Sequence, residues 1–138
     1  MHRILAGLAL LLAAATAPWS PACANADANP WVTADADGSA RVQLYFFWST
    51  HCPHCRHAIP FVNALAKRHP WLDVQALEIN ADRAHVRLYR DLAASLGQEA
   101  NSVPAFLFCG TMRTGCDSDA TTGNVLEASL RSCRQQVQ

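Results

Sequence analysis

Two cysteines separated by two residues, Cys52 and Cys55, lie in the segment STHCPHCRHAIP at residues 49–60. At the start of a helix, this spacing lets one thiol attack a disulfide while the other releases the mixed disulfide. Unpaired N–H groups and the helix dipole would stabilise a thiolate at Cys52. Pro53 stiffens the turn, and His54 adds a donor or a positive charge beside the anion. We therefore interpret the pair as a redox centre, with Cys52 attacking and Cys55 resolving.

A metal site is the alternative of a different class. Histidines at positions 51, 54 and 57 surround the two thiols, and copper or zinc can use two sulfurs and an imidazole. Pro53 stiffens the loop, however, and no second C-x-x-C supplies further ligands. We predict no metal and no other cofactor, with copper binding or delivery kept as an alternative and a purely structural C-x-x-C staple ranked below it.

The first 24 residues have the features of a secretory signal peptide. A basic Arg3 precedes an apolar run from Ile4 to Ala17, and small residues end at Ala24. The run is shorter than the roughly 20 residues of a membrane span. We expect cleavage after Ala24 and a soluble chain exported to the periplasm or another extracytoplasmic compartment, where disulfides persist.

The remaining chain supports one domain with one core, and we expect a monomer. Removing residues 1–24 takes away one basic residue, leaving ten basic and eleven acidic residues. This balance favours neither nucleic acid nor an anionic membrane surface as a partner. An odd number of cysteines remains, so at least one is unpaired or transiently paired. They are Cys52, Cys55, Cys109, Cys116 and Cys133.

Periodicity predicts an extended lead-in at residues 25–40 and one domain at residues 41–138. The near-continuous apolar run in ARVQLYFFWST predicts a central strand buried on both faces. Starting with this strand, the elements follow the order β-α-β-α-β-β-α, which predicts an α/β fold with a mixed sheet and helices on both faces. Asn124 and Glu127 could form a capping box at the start of the last helix.

The sequence resembles the thioredoxin superfamily from Arg41 to Cys133, because several features occur at the family's distances. These are Trp48 four residues before Cys52, the C-x-x-C pair, Pro60 eight residues after Cys52, and the segment Ser102-Val103-Pro104-Ala105. The resemblance implies a thioredoxin fold and a cis peptide between Val103 and Pro104 that contacts substrate. The CPHC motif resembles the disulfide-forming DsbA group.

That resemblance implies an exported thiol-disulfide oxidoreductase that exchanges a Cys52–Cys55 disulfide with protein thiols. We expect an oxidase, recycled by an unidentified membrane or periplasmic redox partner, with a reductase as the alternative. The family's buried acid is replaced by Phe46, which cannot carry the proton of Cys55. Glu78 could substitute, although a solvated strand-end carboxylate is its more ordinary role.

The segment VPAFLFCGTMRTGCDSD also resembles the glutaredoxin hairpin, whose last turn holds glutathione. The resemblance implies ligand contacts at Gly115, Cys116, Asp117 and Ser118, and a glutathione-dependent enzyme as a further alternative. A plain strand-to-helix turn is an equally good interpretation of these residues.

The hairpin also suggests which cysteines can pair. With Gly110 and Thr111 as its turn, Cys116 would lie opposite Ala105, ~13 Å along the ladder from Cys109. The last helix runs back toward the turn and brings Cys133 near Cys109. We predict a structural disulfide between Cys109 and Cys133, with simple burial of Cys133 as the alternative, and Cys116 on the cis-proline side.

Overall fold

The computed structural model describes residues 29–138, so the expected signal peptide and residues 25–28 lie outside the described part. The elements are β1 (Val32–Ala34), β2 (Ala40–Trp48), α1 (Pro53–Arg68), β3 (Leu72–Glu78), α2 (Arg83–Ser95), β4 (Ala105–Phe108), β5 (Thr111–Thr114), a π-helical turn (Asp119–Gly123) and α3 (Asn124–Val137). Among residues 29–138, no helix is long and apolar enough to cross a membrane.

Strand β2 is the centre of a mixed sheet. β3 runs parallel to it along one edge, from Val42 opposite Leu72 to Trp48 opposite Glu78. The other edge is shared, because β1 pairs with residues 40–42 and β4 pairs with residues 45–47, both antiparallel. β5 continues the sheet beyond β4. The lead-in thus contributes a strand, β1, that the sequence did not predict.

The side chains of β2 alternate between two apolar layers, as a strand covered on both faces requires. Val42, Leu44 and Phe46 face a layer that also contains α1 and α3, and Phe47 faces a layer formed with α2. In the second layer the Phe47 and Tyr89 rings stack 4.5 Å apart. The predicted order β-α-β-α-β-β-α and the thioredoxin fold are therefore confirmed, with β1 added at the front.

The predicted turn of the last hairpin, Gly110 and Thr111, is wrong because it lies one residue too late in the chain. Phe108 pairs with Thr111, so Cys109 and Gly110 form the turn. Both have positive φ, 46° and 71°, as a type I′ turn requires because its twist matches that of the strands. Ala105 consequently pairs with Thr114 rather than with Cys116.

The end of that hairpin is tied to α3. Cys109 and Cys133 form a disulfide, with Cα atoms 6.2 Å apart, which is the pairing that the sequence predicts. The cysteines without a disulfide among the described residues are Cys52, Cys55 and Cys116.

Candidate functional site

Cys52 is the N-cap residue of α1, immediately before the first helical residue Pro53. The missing N–H of proline costs nothing at this position, because the first N–H groups of a helix have no intrahelical partner. The Cys52 sulfur accepts a hydrogen bond from the N–H of Cys55 at 3.4 Å. The helix start thus directs one of its N–H donors at a partly exposed sulfur.

Cys55 is fully buried on the inner side of the first turn of α1. Burial raises the pKa of its thiol to about 12, and the neighbouring Cys52 side chain acts in the same direction. The two sulfurs of the motif are therefore unequal, because Cys52 is reachable from solvent whereas Cys55 is held as a neutral thiol.

The segment before β4 reaches the same sulfur. The Val103–Pro104 peptide bond is cis, Pro104 is almost completely buried, and the Cys52 thiol donates to the carbonyl oxygen of Val103 at 3.4 Å. Chain segments that lie 51 residues apart therefore meet at the reactive sulfur. A backbone group of Val103 is placed where a bound peptide could pair with it.

The loop that leads into Cys52 is held by polar residues that the sequence analysis missed. Ser49 is buried; its hydroxyl donates to the Asn80 side-chain oxygen at 2.9 Å and accepts from the N–H of His51 at 3.1 Å. Glu78 accepts from the N–H of Thr50 at 3.2 Å. Ser49 and Asn80 follow neighbouring parallel strands, whose carboxyl ends meet at one edge of the sheet, and this signal could have identified them.

Among residues 29–138, no carboxylate lies at the position six residues before Cys52, where the resemblance implies a buried acid. Phe46 occupies that position, fully buried and stacked on Phe106 with ring centroids 5.2 Å apart. Glu78 is only half-buried and is engaged with the loop backbone. A proton leaving or reaching Cys55 must therefore use another route.

The three histidines of the motif are all exposed. His51 lies beside Asn80, with 3.4 Å between the Asn80 side-chain nitrogen and the His51 Nδ1 atom. His54 and His57 make no hydrogen bond within residues 29–138. In that part of the chain, no group of three or more His, Cys, Asp or Glu side chains is arranged to hold a metal ion.

The Gly115–Ser118 turn lies beside the cis-proline segment. The N–H of Gly115, whose φ is 82°, donates to the carbonyl oxygen of Pro104 at 2.9 Å. Cys116 is buried, and burial is the main cause that raises the pKa of its thiol. Asp117 is exposed, and Ser118 caps the π-helical turn by accepting from the N–H of Thr121.

The structure thus brings the Cys52–Cys55 motif, with Pro53 and His54 between its cysteines, to the same end of the sheet as the cis-proline segment, and the Gly115–Ser118 turn lies beside that segment. Around the Cys52 sulfur lie Cys55, Val103 and Pro104, with Gly115 bonded behind Pro104. The Cys109–Cys133 disulfide is at the opposite end of the β4–β5 hairpin. It is therefore separate from the Cys52–Cys55 pair.

The comparisons with known proteins add a similarity of structure. No protein-family model matches the chain, and no curated protein sequence matches it. The crystal structure of the holo form of glutaredoxin C1 from Populus tremula x tremuloides is similar, with a TM-score of 0.43 and 19% sequence identity, covering 67% of this chain and 76% of that chain.

Proposed function

We propose that this chain is a thiol-disulfide oxidoreductase that passes a Cys52–Cys55 disulfide to protein thiols. The observation that supports it best is the inequality of the two sulfurs. Cys52 is partly exposed at a helix N-terminus and hydrogen-bonded to Val103, whereas Cys55 is buried with its pKa raised to about 12. This is the arrangement that an attacking thiol and a resolving thiol require.

The exchange follows from this geometry. A substrate thiolate attacks the Cys52 sulfur of the oxidised pair, the Cys52–Cys55 bond breaks, and Cys55 leaves with the electron pair. Because the pKa of Cys55 is raised to about 12, Cys55 takes up a proton, for which water is the donor in the absence of an acid at position 46. A second substrate thiolate then attacks the substrate sulfur of the mixed disulfide and releases Cys52.

The net result is that two substrate thiols become a disulfide and the Cys52–Cys55 pair becomes a dithiol. Another disulfide-carrying protein, at the membrane or in the same compartment, must reoxidise the pair. We propose an exported, periplasmic and monomeric protein. Residues 1–24 resemble a signal peptide, and a disulfide such as Cys109–Cys133 is typical of proteins in oxidising compartments.

Glutathione-dependent exchange is the second candidate, and one contact favours it. The hydrogen bond from Gly115 to Pro104 places the Gly115–Ser118 turn next to the cis-proline segment, so a small thiol on Cys52 could reach the exposed Asp117. Buried Cys116 and the capping role of Ser118 leave only part of that turn for a ligand.

The reduction potential of the Cys52–Cys55 pair, measured against glutathione redox buffers, tests the direction of exchange. We expect a value well above about −270 mV, the potential of thioredoxin, and toward the oxidising members of the fold near about −120 mV. A thioredoxin-like value would make the chain a reductase. The Cys55→Ser variant should accumulate mixed disulfides through Cys52; a Cys52→Ser variant that accumulates as many would contradict the proposed exchange.

A further inference from the structure

A small cavity opens between α2 and the cis-proline segment, beside the proposed site. Its volume is about 170 Å³, and its apolar wall includes Ile79, Val86 and Val103. Tyr89 forms part of the wall, and its hydroxyl donates to the Ser102 carbonyl oxygen at 2.6 Å. The cavity thus begins at the residue whose carbonyl oxygen accepts from the Cys52 thiol.

The rim of this cavity carries one end of a row of arginines. Arg83, Arg87 and Arg90 are spaced four and three residues apart on α2, so they lie along one side of the helix. All three are exposed, and Arg90 also lines the cavity. We call these three residues the arginine row.

The arginine row has no partner within the described part of the chain. None of the three guanidinium groups takes part in an ion pair or a side-chain hydrogen bond among residues 29–138. The acids nearest to them in sequence form no ion pair with them among these residues, including exposed Asp91, which follows Arg90 and lies four residues after Arg87. Asp82 caps α2 by accepting from the N–H of Ala84 at 2.7 Å, and Glu99 accepts from the Asn101 side chain at 3.4 Å.

We propose that the arginine row selects acidic polypeptide substrates, an inference that rests on the proposed thiol-disulfide exchange at Cys52. A substrate held to Cys52 can lie extended against the Val103 backbone as an added strand. A side chain next to its cysteine can then enter the cavity. Beyond the cavity the peptide meets Arg90 and the rest of the row.

The length of the arginine row matches that of a short extended peptide. Seven residues of α-helix, from Arg83 to Arg90, span ~10 Å, and an extended peptide covers that distance in about three residues. Aspartate or glutamate within a few positions of the substrate cysteine can therefore face the row. Because these arginines are exposed, they act mainly on the rate of productive encounter, and salt should weaken their effect.

Three dithiol peptides of the same length test whether the arginine row selects acidic substrates. Their cysteine pairs are flanked by aspartate, by asparagine or by lysine. The rate at which each reduces the oxidised protein is divided by its rate with 2-hydroxyethyl disulfide, which corrects for thiol reactivity. At low ionic strength we expect the aspartate peptide to react about tenfold faster than the lysine peptide, with the asparagine peptide between them. High salt should remove most of the difference.

The variant Arg83→Gln/Arg87→Gln, which leaves Arg90 in the cavity wall, should lose most of this preference, so that the aspartate and lysine peptides react at similar rates. Lys67→Gln is the matched control, since Lys67 is an exposed cation near the end of α1, and it should keep the preference. Equal rates for all three peptides in the unaltered protein would overturn the inference and leave the proposed exchange intact. If no peptide reduces the protein, the proposed function fails and the inference fails with it.

Measurements with reduced glutathione distinguish recognition of an acidic polypeptide from recognition of a small thiol that carries carboxylates. We expect the rate with glutathione in Arg83→Gln/Arg87→Gln to fall much less than the rate of the aspartate peptide. A loss with glutathione as large as the loss with the aspartate peptide would overturn the inference, because the row would then recognise the carboxylates of a small thiol.

Discussion

At the scale of single residues, Cys52 and Cys55 share one helical turn but have opposite surroundings. The sulfur of Cys52 is partly exposed and receives the N–H of Cys55, while the Cys55 thiol is sealed beneath the turn. Desolvation penalises the thiolate of Cys55. The proposed order of attack and release therefore depends on burial rather than on any difference in residue type.

Alkylation with iodoacetamide should reveal this difference. We expect Cys52 of the reduced protein to be labelled at neutral pH, and Cys55 to stay unlabelled until the pH approaches its raised pKa of about 12 or the protein unfolds. Cys116, whose pKa is also raised by burial, should be protected as well. Mass spectrometry of peptides from folded and urea-unfolded protein measures both states. Labelling of Cys55 before Cys52 would reverse the proposed roles.

His54 lies between the two cysteines in sequence and is exposed. As a donor or cation near the Cys52 sulfur, it would stabilise the reduced form and so make the disulfide more oxidising. We expect His54→Leu to lower the reduction potential by about 30 mV, a tenfold change in the equilibrium with a reference dithiol. His57→Leu, which removes an exposed histidine farther along α1, is the control and should leave the potential unchanged. Equal shifts in both variants would mean that His54 has no special role.

At the scale of elements, α1 and α3 approach each other closely where the π-helical turn meets α3. A Cβ atom added to Gly123 would lie 2.8 Å from Cε2 of Phe61. Phe61 is buried in the same layer as Leu126, so its ring has little room to move. The glycine is therefore required by packing between helices, since its own backbone is ordinary helical, with φ of −63°.

We expect Gly123→Ala to destabilise the fold by about 1–3 kcal/mol, the usual cost of inserting a methyl group into a filled core. Urea unfolding measures the change. Ser132→Ala, at an exposed position of α3, is the control and should change stability by less than about 0.5 kcal/mol. Full stability of Gly123→Ala would show that Phe61 can move aside.

Glu127 joins the same two helices near the end of α1. Its carboxylate contacts His69 at 2.7 Å and Arg68 at 2.8 Å, and also Arg131 at 3.1 Å. The hydrogen bond with His69 is the main cause that lowers the pKa of Glu127 from 4.5 to about 2, with the two arginines acting in the same direction. The folded state therefore favours the ionised carboxylate.

Because the pKa of Glu127 is lower in the folded state, its carboxylate contributes its full stabilisation of the fold above the pKa of the unfolded state, near 4.5. That contribution is lost as the pH falls toward about 2. Since the Glu127 side chain is 18% exposed, we expect the contribution at neutral pH to be on the order of 2 kcal/mol. Glu127→Gln should be less stable at pH 7 and less sensitive to pH between 5 and 2. Asp91→Asn, at an exposed position of α2, is the control. Parallel pH profiles for Glu127→Gln and the unaltered protein would contradict the assignment.

At the scale of the whole molecule, the Cys52–Cys55 pair and the Cys109–Cys133 disulfide lie at opposite ends of the β4–β5 hairpin. Val103 and Pro104 precede β4 at the Cys52 end, and Cys109 is in the turn at the other. The disulfide connects that turn to α3 across 24 residues. It should act on stability without changing exchange at Cys52.

Cys109→Asn/Cys133→Ala tests this separation. Asparagine tolerates the positive φ of position 109, so the turn is preserved when the crosslink is removed. We expect a loss of about 3 kcal/mol in the free energy of unfolding, from the greater entropy of the unfolded chain. The potential of the Cys52–Cys55 pair should be unchanged, with the unaltered protein as reference. A shifted potential would show that the two disulfides are coupled.

Local sequence patterns were enough to identify the Cys52–Cys55 motif and the order of the elements. C-x-x-C spacing and hydrophobic periodicity are local properties, so the Cys52–Cys55 motif, the central strand β2 and the helices could all be predicted without knowing how they pack. The pairing of Cys109 with Cys133 could be predicted too, because an antiparallel return of the last helix limits which cysteines can meet.

Contacts between distant segments were decided only by the tertiary structure. Ser49 meets Asn80 across 31 residues, and Glu127 contacts His69 across 58 residues rather than forming the predicted capping box with Asn124. The turn lies at Cys109 and Gly110 because hairpin twist favours two residues with positive φ there. Residue spacing does not encode such contacts, since they depend on which faces and strand ends come together when the sheet and helices pack.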